Sequence, residues 1–297
     1  MTLEIEVDRE LNFIKYNLIK KSKLIKSIYC DSPELVWNCN CHVDRNKYSV
    51  LPCYIHSNLD ADFLSVYGNK TLISYSGVKV IWLKSENTRP SIDSFLLLQF
   101  TLKWLKTHKI ISVLDFACGS GMIGICLKKM FPFIKIDFYD RDKKELKSSY
   151  DNYLINSLEK KSAHFYEISS FEKKKYDFII SNPPYLPYNL LNYTSEEFKK
   201  SSVFNQNMEH EFFNLINQTK YCLFNISSIN RITEKILARK FGRFKIVYNY
   251  SVPLRIPALF TENNSFILEE MVKLKLIIPV KNSYHPFYHL INGFLFY

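Results

Sequence analysis

Apolar positions recur along this chain in different periods, and the changes of period divide it. Leu11, Ile14, Leu18 and Ile25 keep a helical spacing with Lys15, Lys20, Lys21, Lys23 and Lys26 on the far side, so residues 8–28 are expected to form an amphipathic helix. Between Glu34 and Lys84 the runs become short and β-rich, at Tyr48–Ile55, Phe63–Tyr67, Thr71–Tyr75 and Val78–Leu83, with Gly68-Asn69 and Gly77 at tight corners. Glu86-Asn87-Thr88-Arg89-Pro90 is polar and closes on proline, which marks a joint between a small α+β unit, 1–88, and a main domain, 89–297. Asp93 or Ser94 is expected to cap a helix through Phe95–Lys106.

Beyond the joint, strand and helix patterns alternate. Strands are expected at Ile111–Asp115, Ile134–Tyr139, His164–Glu167, Tyr176–Ser181, Tyr221–Ile226, Phe244–Tyr250 and Leu290–Phe296. Helices are expected at Gly121–Met130, Lys143–Leu158, Arg231–Phe241 and Phe266–Leu274. Such alternation implies an α/β domain with a mostly parallel sheet and helices on both faces.

Composition narrows the class further. With 297 residues, 47% of them hydrophobic, the chain can bury one full α/β core and a smaller appendage. It lacks the eighteen or so consecutive apolar residues of a membrane span, and its first residues, Met1-Thr2-Leu3-Glu4-Ile5-Glu6, are acidic where a signal peptide is basic, so a cytoplasmic location with no membrane partner is expected. The seven cysteines are then expected to be thiols. Of the net charge of +11, residues 220–297 supply +7, from eleven basic and four acidic residues. A positive field in one segment attracts an anionic partner such as RNA or the ribosome, although a lysine-rich solvated surface accounts for it equally well.

Only seven glycines occur, and Gly119, Gly121 and Gly124 fall together directly after an expected strand and at the opening of an expected helix. A loop of this kind lets backbone approach a ligand and aims helix N-terminal amides at it. Asp140, at the end of the next strand, is placed to accept the two hydroxyl hydrogens of a ribose. The spacing alone also fits a dinucleotide-binding dehydrogenase. Asp115, at the first strand's end, argues for a different adenosine cofactor, because a carboxylate there repels a pyrophosphate and suits an ammonium group.

The discriminating segment is Tyr176-Asp177-Phe178-Ile179-Ile180-Ser181-Asn182-Pro183-Pro184-Tyr185, an apolar strand running into Asn-Pro-Pro-Tyr. An amide or aromatic amine nitrogen has a delocalised lone pair and attacks poorly until acceptors hold its two hydrogens. The Asn182 side-chain oxygen and the Pro183 carbonyl are candidates for those acceptors. Pro183 and Pro184 fix the backbone that carries them, and Tyr185 offers a flat face for stacking.

Residues 89–250 resemble the class I S-adenosylmethionine (SAM)-dependent methyltransferases of the Asn-Pro-Pro-Tyr group. They are most similar to the HemK/PrmC-type enzymes that methylate a glutamine side chain of translation release factors. The likeness rests on Asp115-Phe116-Ala117-Cys118-Gly119-Ser120-Gly121, Phe138-Tyr139-Asp140-Arg141, Ile180-Ser181-Asn182-Pro183-Pro184-Tyr185, and the preceding Arg89-Pro90-Ser91-Ile92-Asp93-Ser94-Phe95-Leu96-Leu97. It implies a Rossmann-like sheet with an antiparallel C-terminal hairpin. It also implies SAM contacts from Asp115, Ala117, Gly119, Gly121, Asp140, Arg141, Ser169 and Asn182, with Asn182, Pro183 and Tyr185 in catalysis and Pro184, Tyr185 and Tyr188 against the substrate. Ala117 replaces the family's first loop glycine, a swap that suits a backbone φ below zero, and Ser169 stands where the family usually has an acid. A release-factor-like protein is the implied substrate, and an adenine or guanine amino group of a nucleic acid is the alternative, followed by a small molecule.

Other features are expected to be structural or accessory. Cys39, Cys41, His42, Cys53 and His56 are ligand types, but their irregular spacing favours buried thiols over zinc, and no metal is expected. Leu186–His210 is long for a connection and is a candidate substrate lid. The aromatic terminus Phe287, Tyr288, Phe294, Phe296 and Tyr297 fits core packing better than base stacking.

Overall fold

A computed structural model describes residues 2–6, 13–19, 28–30, 61–67, 70–75, 78–83, 92–156, 158–159, 162–166, 174–184, 214–216, 219–230, 243–254, 265–279 and 287–297. The chain divides into two compact units, one of residues 1–85 with 251–289 and one of residues 86–250 with 290–297.

In the first unit, strands β1 (Thr2–Glu6), β2 (Phe13–Ile19) and β3 (Ile28–Cys30) form one antiparallel sheet, and β4 (Ala61–Tyr67), β5 (Lys70–Tyr75) and β6 (Val78–Leu83) another. The three strands expected between Phe63 and Leu83 are present to within two residues, whereas Tyr48–Ile55 lies outside the described residues. The helix expected over 8–28 is not formed where the structure describes that segment. Phe13–Ile19 is a strand, with Leu18 opposite Leu3 and Tyr16 opposite Ile5. Ile14, Tyr16 and Leu18 alternate at period two within the same stretch that carries the 3.6-residue spacing. A β-rich partner, Thr2–Glu6, decides between the two periods.

The largest sheet has eight strands, with the path β12-β14-β11-β10-β7-β8-β9 and β13 paired to β14. Its strands are β7 (Ser112–Phe116), β8 (Lys135–Tyr139), β9 (Ala163–Tyr166), β10 (Tyr176–Ser181), β11 (Thr219–Ser227), β12 (Phe244–Pro253), β13 (Ile278–Pro279) and β14 (Phe287–Phe296). The pairs β8/β9, β7/β8, β7/β10 and β10/β11 are parallel and β11/β14 is antiparallel, the arrangement expected from the sequence and from the resemblance. Helices α1 (Ile92–Leu105), α2 (Met122–Met130) and α3 (Lys143–Ile155) belong to the second unit, and α4 (Ser265–Lys273) to the first.

The central strands read as near-continuous apolar runs because both their faces are covered. One face packs Leu114, Phe116, Ile179, Phe224, Phe294 and Phe296 into a core. Phe224 stacks on Phe296 with ring centroids 5.0 Å apart, so Tyr288, Phe294 and Phe296 of the aromatic terminus are core, as expected, while Phe287 is half-buried and Tyr297 exposed. On the other face Trp104 stacks on Phe178 at 4.8 Å, fixing α1 to β10. Asp177 ties the starts of β10 and β7 together, its Oδ2 accepting from the Ile111 and Ser112 amides at 2.9 Å each.

Candidate active site

The chain runs β7, β8, β9 outward in one direction and then returns to place β10 on the other side of β7. That reversal opens a crevice at the carboxyl ends of β7 and β10, where open α/β sheets bind ligands. Ser181 pairs with Phe116, so the Asn182-Pro183-Pro184 corner and the glycine loop leave the sheet side by side, as expected.

The loop between β7 and α2 turns through three left-handed residues, Ala117 at φ 56°, Gly119 at 52° and Gly121 at 77°. The φ below zero that suits alanine at 117 is therefore not adopted. A non-glycine residue there costs about 1–2 kcal/mol, which the surrounding bonds must hold. Those bonds are specific: the Cys118 amide donates to the Tyr139 carbonyl (3.0 Å), Gly121 N to Cys118 O (2.8 Å), and Asn152 Nδ2 from α3 to Ser120 O (2.9 Å). Gly124 has a different reason for being glycine. An added Cβ would sit 2.4 Å from the Phe138 ring and 2.9 Å from Asp115 Oδ2, so α2 packs against β7 and β8 only without a side chain there.

Asp115 and Asp140 are both buried. Asp115 Oδ2 accepts from the Gly124 amide at 2.8 Å, and burial pushes its carboxyl up to about 8, with the neighbouring Asp140 charge adding to the rise. Asp140 Oδ2 accepts from Gly119 N and Oδ1 from Asp142 N, both at 2.9 Å, and burial raises it to about 6. Each Asp140 oxygen keeps a lone pair, an acceptor pair suited to the two hydroxyls of a vicinal diol. Asp115, raised chiefly by burial, suits an ammonium group, whose charge would favour the ionised carboxylate. These features fit an adenosine cofactor that bears an ammonium. Arg141 follows Asp140, half-buried. Cys118 and Cys126 beside the loop and Cys222 on β11 are free thiols, held protonated by burial.

At the corner, Pro183 is buried while Asn182 and Pro184 are half-buried. The Asn182 carboxamide is held at both ends. Nδ2 donates to Ser94 Oγ at 3.0 Å, and Oδ1 accepts from Asn225 Nδ2 at 3.0 Å. Asp93 and Ser94 lie within the first turn of α1 rather than ahead of it as caps. Asn225 is a functional neighbour that the sequence reading missed. The available signal was an asparagine amid the apolar run Tyr221-Cys222-Leu223-Phe224-Asn225-Ile226. Ser169, Tyr185, Tyr188, the Leu186–His210 lid and the Cys39–His56 cluster lie outside the described residues.

Residues 94–202 match the methyltransferase small domain family. Over 119 residues the chain is 38% identical to the ribosomal RNA small subunit methyltransferase C of Aliivibrio fischeri, covering 40% of this chain and 33% of that one. It is 36% identical over 203 residues to uncharacterized protein MG259 of Mycoplasma genitalium, covering 65% of this chain and 41% of that one. The release factor glutamine methyltransferase of Clostridium botulinum is 26% identical over 119 residues, 39% of this chain and 42% of that protein. The chain thus spans about a third to two fifths of the length of the curated relatives it matches.

Proposed function

We propose that this protein transfers the SAM methyl group to a planar amino nitrogen held at the Asn182-Pro183 corner, and that the nitrogen is a glutamine side-chain amide of a protein. The observation that carries the reading is the parallel pairing of β7 with β10, which brings the loop and the corner to one sheet end. When bound, SAM would supply a sulfonium methyl to an in-line nitrogen, the S–CH3 bond breaking as the N–CH3 bond forms, with S-adenosylhomocysteine as the leaving group and the surplus proton of the nitrogen lost to solvent. In this reading the Asp140 carboxylate orients the ribose hydroxyls and Asp115 the ammonium, with Ala117, Gly119, Gly121, Arg141, Ser169 and Asn182 lining the cofactor. Asn182 Oδ1 and the Pro183 carbonyl accept the two amine hydrogens and favour a tetrahedral nitrogen. Two prolines pre-set those acceptors, so little reorganisation is left for the reaction itself. Tyr185, Pro184 and Tyr188 pack the planar group, and residues 1–88 serve substrate recognition beside a methyltransferase domain of residues 89–297. We further propose a cytoplasmic location, where release factors and ribosomes are found.

A second reading, transfer to an exocyclic amine of an RNA base, uses the same corner. It is favoured by the higher identity to the rRNA methyltransferase and by the +7 charge of residues 220–297. Incubating the protein with tritiated SAM and a methylation-deficient lysate separates the two. Label that survives nuclease and is lost to protease is expected. Label lost to nuclease alone would transfer the assignment to RNA, and no label in any fraction would contradict both.

A further inference from the structure

The bonds around Asn182 continue away from the corner along a line that crosses four adjacent strands. Asn225 lies on β11, next to β10 and opposite Gly293 of β14, with which it is paired. Its carboxamide has every polar atom engaged: Nδ2 donates to Asn182 Oδ1 at 3.0 Å and to the Asp93 carbonyl at 2.8 Å, while Oδ1 accepts from the Tyr248 hydroxyl. Tyr248 comes from β12, on the far side of β14. It reaches Asn225 only because position 293 has no side chain, an added Cβ there lying 2.3 Å from the ring. Its ring is also braced by Phe100 of α1 at a centroid distance of 5.5 Å.

A carboxamide has two ends of nearly equal size and opposite polarity, and packing alone cannot tell them apart. Here two groups of fixed polarity do so. The Asp93 carbonyl can only accept, which assigns the nitrogen end of Asn225. Burial holds the Tyr248 hydroxyl protonated, so it remains a donor to the oxygen end. The second Asn225 N–H can then only donate to Asn182, which makes the facing atom of Asn182 its oxygen. Resting on the reading of Asn182 as an amine acceptor, we infer that Asn225, oriented by Tyr248 across Gly293, is the positioning residue that sets the orientation of the Asn182 carboxamide. The second lone pair of Asn182 Oδ1 is thereby kept available to the substrate nitrogen.

The polarity of the contact makes the inference testable without a change of shape. Asn225→Asp is isosteric, but its carboxyl carries at most one proton where the carboxamide donates two, so it cannot serve both the Asp93 carbonyl and Asn182 Oδ1; once ionised it serves neither, and the Asn182 carboxamide turns over to present N–H groups to the amine. With tritiated SAM and the lysate fraction that the wild-type protein labels, the expected rate at saturating SAM is at least about tenfold below wild type at pH about 8. The ratio to wild type should recover in part as pH falls and the introduced carboxyl regains a proton to donate. The SAM dissociation constant should be unchanged. Tyr248→Phe, which keeps the ring, should lower the rate by about three- to tenfold with SAM binding and melting temperature intact, and it decides alone if Asn225→Asp does not fold. Wild-type rates for both variants, or a loss of SAM affinity that matches the loss of rate, would overturn the inference. A wild-type rate for Asn182→Ala in the same assay would instead remove the reading beneath it.

Discussion

Burial sets the chemistry of the two carboxylates, and it makes their behaviour with pH predictable. A carboxyl whose folded value is raised keeps a proton that the unfolded chain has already lost. Its contribution to stability is therefore full below the ordinary carboxylate range and is lost as pH rises toward the folded value. With Asp115 at about 8 and Asp140 at about 6, the cofactor-free protein should melt at progressively lower temperature as pH is raised through that window, and Asp115→Asn should flatten the fall. An ammonium beside Asp115 favours its ionised form, so SAM binding near neutral pH should release protons. Calorimetry in buffers of different ionisation enthalpy reads this directly, and a buffer-independent heat would remove Asp115 from the cofactor's contacts. Backbone geometry yields a second expectation. Ala117→Gly relieves a left-handed alanine at the cost of a more flexible unfolded chain, for a net gain of up to about 1 kcal/mol in chemical denaturation. Gly124→Ala forces a Cβ into Phe138 and Asp115 and should cost about 1–3 kcal/mol in the same measurement. The left-handed Ala117 ran against what the sequence suggested, whereas Asp115, Asp140 and Gly124 were legible, as carboxylates at strand ends and a glycine clustered with two others in a glycine-poor chain. Asn225 and Tyr248 were not, since nothing in one dimension says that a mid-strand asparagine and a tyrosine 23 positions later meet across a glycine on a third strand.

The alternating elements of residues 92–296 were legible because each has one period and one kind of neighbour. Every expected strand of that region is present to within three residues, and so are the described helices. Capping explains the sharpness of one of them: Asp142 accepts from the Lys144 amide at 2.9 Å and starts α3 at Lys143. The misread element, β2, shows the opposite case. Within residues 13–19 the apolar set satisfies both a 3.6 and a 2.0 period, and the outcome depends on pairing with β1, a tertiary fact. At this scale Gly293 is the position to test. Gly293→Ala should displace the Tyr248 ring and slow methyl transfer while leaving SAM affinity at its wild-type value, because the glycine loop lies on other strands.

For the molecule as a whole, the question is what approaches the corner. No described helix is long and apolar enough to cross a membrane. The positive surplus of residues 220–297 gives the two candidate substrates different signatures. Association with RNA releases condensed counterions, so transfer into RNA should fall steeply with added salt, whereas transfer to a glutamine amide should depend on salt only weakly. Such a titration complements the nuclease and protease arms, since it reads the approach of the substrate rather than the product.

Single-turnover methyl transfer, measured beside SAM binding for Asn182→Ala and Asp140→Ala, separates the corner from the loop. The expected result is a dissociation: Asn182→Ala binds SAM within a few-fold of wild type yet transfers methyl slower by about 10²–10³, as for the loss of one preorganised polar partner, while Asp140→Ala loses SAM affinity. Asn182→Ala turning over at the wild-type rate with SAM bound would contradict the assignment of the Asn-Pro-Pro corner as the place where the methyl group is transferred.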